Sequence, residues 1–356
     1  GWDHLEWWVG SARAAAAWLC SGFGFAVTGY SGPETGVYDR ASYLLEQGDI
    51  RYVVTAGLSG DSEVTRYVAR HGDGVRNLAW RVHDVTDAVE SAAARGAEVV
   101  VEPHKEESDQ GIVVSAAIAT YGWTRHVFVD RSKFEGTWAP RFTCERLPPR
   151  PAGDAPGMLE IDHVVGNVAE GRLDECVEWY REVLGFEELT HFDAEQISTR
   201  YSALRSTVVC NHRGIVMPIN EPAPGLRKSQ IAEYLDAYGG EGVQHIAMRT
   251  LDIVGAIDSL RRRGVRFLDM PSTYYEDARV RCGEFDVPWG DLQRLGIEID
   301  KDSGGYLLQI FSETFSDRPT LFIEVIQREG ATGFGEGNFK ALFEAIEREQ
   351  ARRGNL

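Results

Sequence analysis

The strongest constraint on the fold is that the sequence contains itself twice. DHLEWWVGSARAAAAWLCSGFGF begins at Asp3, and DHVVGNVAEGRLDECVEWYREVLGF begins at Asp162. Each reads as a short strand, a helix and a Gly-Phe at the helix exit. In the second copy Leu173, Cys176, Val177, Tyr180 and Val183 recur at helical spacing, and Gly185 suits a left-handed cap. A second pair follows, GDGVRNLAWRVHDVTDAVESAAARGAEVV from Gly72 and GEGVQHIAMRTLDIVGAIDSLRRRGVRFL from Gly240. Here a strand feeds a helix that ends in glycine, and another strand is expected after it. ASYLLEQGDIRYVVTA and RYSALRSTVVCNHRGIVMPIN supply more strands. A repeated unit of this size buries its apolar face against its own copies. The expectation is an α+β protein of four related modules in two domains.

ERLPPRPAGDAPGM, residues 145–158, carries four prolines and two glycines and can hold neither a helix nor a central strand. It sets the expected boundary between a domain of residues 1–147 and one of residues 158–356. The chain of 356 residues is long enough for two such cores. Lys plus Arg number 37 against 55 Asp plus Glu, a formal net charge of −18. Phosphate backbones need basic patches, so this balance argues against a nucleic-acid partner. Arg261, Arg262 and Arg263 read as the exposed end of a helix. An acidic surface also keeps the protein off anionic membranes. No stretch is apolar enough to span a bilayer, and Asp3, His4 and Glu6 break any leader-like run at the start. Cys20, Cys144, Cys176, Cys210 and Cys282 are scattered and form no CxxC, which points to a reduced, cytoplasmic protein.

The two copies differ at the residues that carry chemistry. His163 corresponds to His4, and His245 corresponds to Asn77. Glu324, in PTLFIEVIQ, falls where the first half has Val127 or Phe128. A buried carboxylate between Ile323 and Val325 needs a partner, and a metal is one. Two imidazoles and a carboxylate on three strands could hold one face of an octahedral ion and leave three positions open, as in non-haem Fe(II) oxygenases; the same donors also hold catalytic zinc. Three unrelated core polar groups are the plainer alternative. A full set in one copy and a degenerate set in the other favours one active domain.

The stretches IDHVVGNV, YSAL, PINEP, KSQIAEYL, GVQHIA, SGGYLLQIF, FIEVIQR and GFGEGNFKALFEAIEREQ, in that order, resemble the 4-hydroxyphenylpyruvate dioxygenase family. The resemblance covers nearly the whole chain and implies paired βαβββ modules of the vicinal-oxygen-chelate type, folded as open barrel-like sheets. It implies Fe(II) as cofactor, held by His163, His245 and Glu324. It assigns catalytic roles to Gln244, Gln309 and Phe339. It assigns substrate contacts to Ser206, Asn220, Gln230, Phe311, Phe322, Phe334 and Asn338. Gln244 neighbours His245, so strand alternation points it to the opposite face unless a bulge intervenes. Asn220 could be a turn residue, Gln309 a satisfied core amide and Asn338 an N-cap. Phe339, Leu342, Phe343 and Ile346 share one helix face, either as core or as a lid over an aromatic substrate. GFGEGN is not a dinucleotide loop, because its third glycine is misplaced.

The implied activity belongs to tyrosine and phenylalanine catabolism: a 2-oxo acid substrate and O2 yield homogentisate and CO2. The partners expected are that small molecule and O2, with a homodimer or homotetramer as the assembly. A hydroxymandelate-forming synthase of the same substrate and triad is the nearest rival; Pro218, Asn220 and Phe339 weigh against it. An aromatic-ligand-binding protein of the same fold is another. A glyoxalase-type isomerase would need a fourth protein ligand. The first half is expected to be structural, with Trp2, Trp7 and Trp8 covering an edge or a partner subunit.

Overall fold

The computed structural model describes residues 1–145, 147, 155–193 and 201–354. Most of the expected linker, 146 and 148–154, lies outside them. The first half holds β1 (Trp2–Trp8), α1 (Ala12–Phe23), β2 (Ala26–Ser31), β3 (Arg40–Gln47), β4 (Ile50–Gly57), α2 (Glu63–His71), β5 (Gly74–Arg81), α3 (Val85–Ala94), β6 (Val99–Ser108), β7 (Gly111–Ala119) and β8 (Arg125–Phe134). The second holds β9 (Met158–Asn167), α4 (Leu173–Leu184), β10 (Glu187–Phe192), β11 (Ala203–Cys210), β12 (Val216–Ala223), α5 (Gln230–Tyr238), β13 (Gly242–Thr250), α6 (Ile253–Arg262), α7 (Ser272–Cys282), α8 (Trp289–Leu295), β14 (Glu298–Lys301), β15 (Tyr306–Phe311), β16 (Phe322–Glu329) and α9 (Phe339–Arg352).

Each half is one curled eight-stranded sheet, an open half-barrel built from two βαβββ modules. The strand orders are β2-β3-β4-β1-β5-β8-β7-β6 and β10-β11-β12-β9-β13-β16-β15-β14. These are the same order, element for element. Gly24 and Gly185 end the equivalent helices α1 and α4 in left-handed conformation, with φ of 76° and 67°. Only glycine takes that conformation without a Cβ penalty, so the Gly-Phe signature fixes where each helix hands over to the sheet.

The copies diverge after α6. In the first half β6 begins soon after α3, but in the second the equivalent VRFL makes only an isolated bridge, Phe267 to Ser312. The expected strand does not form there. Pro271 precedes the inserted α7 and α8; its equivalent, Pro103, lies within β6, so the proline alone does not stop the strand. The sheet resumes at β14.

Trp7 and Trp8 of WDHLEWW are buried inside the chain and do not cover an edge. Trp7 is fully buried against Tyr52 and Phe315, and Trp8 against Tyr67; Trp2 packs edge-on to Trp80. Phe315 belongs to the second half, so Trp7 joins the two halves. Trp80 stacks on Phe186, and the Tyr180 hydroxyl meets His126 Nε2 at 2.7 Å, across the same boundary. The halves share one apolar core. Among the described residues no helix is long and apolar enough to cross a membrane, and the five cysteines are free.

Candidate metal centre

Strand alternation separates two faces of the second sheet. Val164, Ile246, Ile323 and Val325 join the helix-covered core, while His163, His245, Phe322 and Glu324 face inward. Register does the rest. Ala247 of β13 lies between His163 of β9 and Glu324 of β16, and His245 sits two residues away on the same face. The small Ala247 leaves the space between the three side chains clear.

All three are buried. Glu324 Oε2 lies 3.3 Å from His163 Nε2 and 3.2 Å from His245 Nε2. One ligand atom from each falls within 4.8 Å of the others. His163 Nδ1 donates to Asp162 Oδ1 at 2.7 Å, and His245 Nδ1 donates to Gln244 Oε1 at 2.9 Å. Both acceptors lack protons to give, so each ring carries its proton on Nδ1 and can turn the Nε2 lone pair toward Glu324. Two lone pairs and a carboxylate at this spacing need a cation between them. Donors cis to each other and about 2.1 Å from an ion are roughly 3 Å apart, which is the separation of Glu324 from each histidine.

The electrostatics agree. Burial disfavours the Glu324 anion, yet His163 and His245 outweigh it and hold its pKa down to about 2. Burial also opposes charge on His163, but Glu324 and Asp162 push its pKa up to about 9. Burial lowers that of His245. Without a metal, the trio would hold one proton in the place a cation would take. Asp162 is anchored by Arg328, at 2.8 Å to each carboxylate oxygen. Burial opposes its ionisation, but Arg328 and His163 hold it far below the usual range. This Arg–Asp–His chain was not anticipated, because Asp162 should point away from His163. Shifts in the β9–β13 register, one between Ala247 and Met248, accommodate it.

The cavity beside the triad is lined by Ser206, Asn220, Gln230, Gln244, Phe311, Phe322, Phe334 and Phe339. Phe322 stacks on His245 at 4.8 Å, and Phe334 meets His163 edge-on at 5.4 Å. Gln244 reaches the cavity because the ladder shifts between Val243 and His245, the bulge its position requires. Ser229 caps α5 by accepting from Ala232 N–H, and this sets Gln230 in the first turn. Ser206 and Asn220 are cross-strand partners. Asn220 therefore lies in β12 rather than in a turn. Val165, Phe192, Leu204, Val208, Pro218, Leu342, Phe343 and Ile346 complete the wall.

Two expected residues are not on that wall. Asn338 is fully buried at the start of α9, and its Oδ1 accepts from Tyr274 Oη at 2.7 Å and Arg281 Nη2 at 2.9 Å. Its carboxamide is turned to α7, and its side chain makes no capping bond. Gln309 lies one inward position beyond Phe311 and packs under Gly335.

The first half keeps the frame without the ligands. His4 and Val127 flank Ala79, and Asn77 stands two residues away, so Val127 is the counterpart of Glu324. Glu6 fills the gap by accepting from Thr55, Trp8 and Asn77. The Arg–Asp–His chain survives as Arg131, Asp3 and His4. The cavity there is about 690 Å³, against about 80 Å³ in the second half, where phenylalanines and α9 fill the mouth.

A doubled βαβββ frame with an inward His-His-Glu set defines a vicinal-oxygen-chelate metalloprotein. Residues 3–114 and 160–310 each match the Glyoxalase/Bleomycin resistance protein/Dioxygenase superfamily. The 4-hydroxyphenylpyruvate dioxygenase of Dictyostelium discoideum is 45% identical over 100% of both chains; that of Caenorhabditis briggsae is 44% identical over 99% of this chain and 93% of its own. A triple mutant of 4-hydroxymandelate synthase from Streptomyces coelicolor superposes with a TM-score of 0.86 at 34% identity, over 98% of both chains. The chain belongs to the 4-hydroxyphenylpyruvate dioxygenase family.

Proposed function

We propose that this chain is an Fe(II)-dependent dioxygenase that converts 4-hydroxyphenylpyruvate and O2 to homogentisate and CO2, a step of tyrosine and phenylalanine catabolism. The observation that carries the proposal is the buried His163, His245 and Glu324 set at the base of a phenylalanine-lined cavity. Residues 158–356 form the catalytic domain and residues 1–147 a non-catalytic one. The protein acts in the cytoplasm as a homo-oligomer.

His163, His245 and Glu324 would hold the iron, which when bound supplies the activation of O2 that oxidative decarboxylation and ring hydroxylation require. The chain supplies position and dryness. Phe311 and Phe322 offer ring faces and edges to an aromatic substrate. Ser206, Asn220, Gln230 and Gln244 provide the polar contacts that orient it. Gln309 and Asn338 act from behind the wall. Phe334 and Phe339 close the mouth against water. A cavity of about 80 Å³ is smaller than the roughly 300 Å³ at which ligand pockets begin, so part of its wall has to give way to admit substrate. No protein acid or base is needed between binding and release.

The likeness to the hydroxymandelate-forming enzyme makes product identity the test. Protein supplied with Fe(II), ascorbate, O2 and 4-hydroxyphenylpyruvate is expected to give a trisubstituted ring in the proton NMR spectrum, the mark of side-chain migration. A retained para pattern with a benzylic carbinol proton would contradict the reading. Phe339→Ile is expected to divert part of the product to that second pattern.

A further inference from the structure

Behind the cavity wall lies a group with no task in the proposed chemistry. Glu298 is completely buried, and neither carboxylate oxygen has a hydrogen-bond partner. It is the cross-strand partner of Gln309 in the β14–β15 ladder, so the two side chains leave the same face of adjacent strands. Gln309 is itself buried, and its Oε1 has no donor. An ionised Glu298 would set one bare acceptor beside another. A protonated Glu298 would supply the donor that Gln309 Oε1 lacks. Each orphan has what the other needs.

What rests on Gln309 matters to the site. Gly335 has φ 79°, and a Cβ placed there would come 2.5 Å from Gln309 Nε2 and 2.6 Å from its Oε1. The carboxamide is thus the floor under the turn that joins Phe334, over His163, to α9 and Phe339. The far side of this turn is held independently. Gly337 N–H donates to Asp300 Oδ2 at 2.7 Å, and Tyr274 and Arg281 hold Asn338. Gln309 Oε1, by contrast, has no hydrogen-bond partner among the described residues to fix it.

We infer that Glu298 is a positioning residue, a buried neutral acid that donates to Gln309 Oε1 and so locks the carboxamide on which the Phe334–Phe339 turn is seated. The surroundings favour the neutral form. Burial pushes the Glu298 pKa well up, and Glu324 from β16 and Asp300 from its own strand add to this; Arg281 of α7 opposes it without reaching the carboxyl. Tyr274 and Tyr275, also on α7, are neutral phenols raised in their turn by the same burial. The inference rests on the catalytic reading of the cavity, but its first test does not.

That test is infrared difference spectroscopy of the metal-free protein, wild type against Glu298→Gln. The expected result is loss of one protonated carboxylic acid C=O band in the variant at neutral pH. Loss of a carboxylate band instead would overturn the proposal. The second test uses the iron-loaded enzyme. Glu298→Gln keeps a donor for Gln309 and is expected to leave kcat and KM within about twofold of wild type. Glu298→Ala leaves a buried acceptor unsatisfied and is expected to cost about tenfold in kcat/KM with iron content unchanged. Equal losses in the two variants would show that charge, not a donor, is what Glu298 provides, and would also overturn it. Wild-type protein that is inactive on 4-hydroxyphenylpyruvate would refute the function and leave the infrared result standing.

Discussion

Asp162 shows what a single residue can decide at this site. It holds the Nδ1 proton of His163 and is itself fixed by Arg328, so the Nε2 that would face a metal is aimed before any metal arrives. Asp162→Asn is expected to weaken iron binding by about 10–100-fold while leaving the fold intact, measured by anaerobic competition with a chelator. Unchanged affinity would mean that Asp162 serves only to bury Arg328. That His163, His245 and Glu324 come together was legible in the sequence because the repeat sets them beside His4, Asn77 and either Val127 or Phe128, of which only the first could also bind a metal. Asp162 was hidden by its own position, since alternation points it away from His163 and only the irregular register turns it back. A weaker signal was present. Asp-His opens both copies, and Arg131 and Arg328 each stand four residues beyond Val127 and Glu324.

At the scale of elements, periodicity found the strands and helices that are repeated and missed what is inserted. Nothing in VRFL announces that its strand is deferred past α7 and α8, because the equivalent stretch of the first half, with Pro103 where Pro271 stands, does continue as β6. The insertion has a use. α7 supplies Tyr274 and Arg281, which grip Asn338 and pin the start of α9. The substrate-facing assignment of Asn338 came from family likeness, and the geometry turns its side chain to α7 instead. Gly335 is the joint of this arrangement. Gly335→Ala forces an L side chain to φ 79° and drives Cβ into Gln309. It is expected to destabilise the protein by about 1–3 kcal/mol and to raise KM, read by thermal melting and steady-state kinetics. A variant with wild-type melting and KM would show that the turn is free to relax.

Across the whole molecule, the two half-barrels share one core but divide the chemistry. The first half retains the frame, the Arg131–Asp3–His4 chain and a large inner cavity, while Asn77 and Val127 stand where the second half has His245 and Glu324. Its polar chain is therefore a matter of stability. Burial disfavours the Asp3 anion, but His4 and Arg131 outweigh it and hold its pKa far below the usual range. A lowered folded pKa stabilises fully above the unfolded value near 3.9, and that contribution is lost progressively as pH falls from there through the much lower folded pKa. Asp3→Asn is thus expected to cost about 2–3 kcal/mol at pH 7, with the gap to wild type closing below about pH 4 in urea melts. A gap independent of pH would assign the loss to packing. The burial of Trp7 and Trp8 was hidden for a reason of the same scale: a cluster of rings reads as surface cover until the half that packs on it is known. The most direct measurement on the central claim is iron stoichiometry together with turnover, after anaerobic loading, for wild type and for His163→Ala, His245→Ala and Glu324→Ala. One ferrous ion per wild-type chain, with neither tight iron nor activity in any of the three variants, is the predicted result. A variant that turns over with normal iron content would contradict it, and so would a second tight ion in the first half.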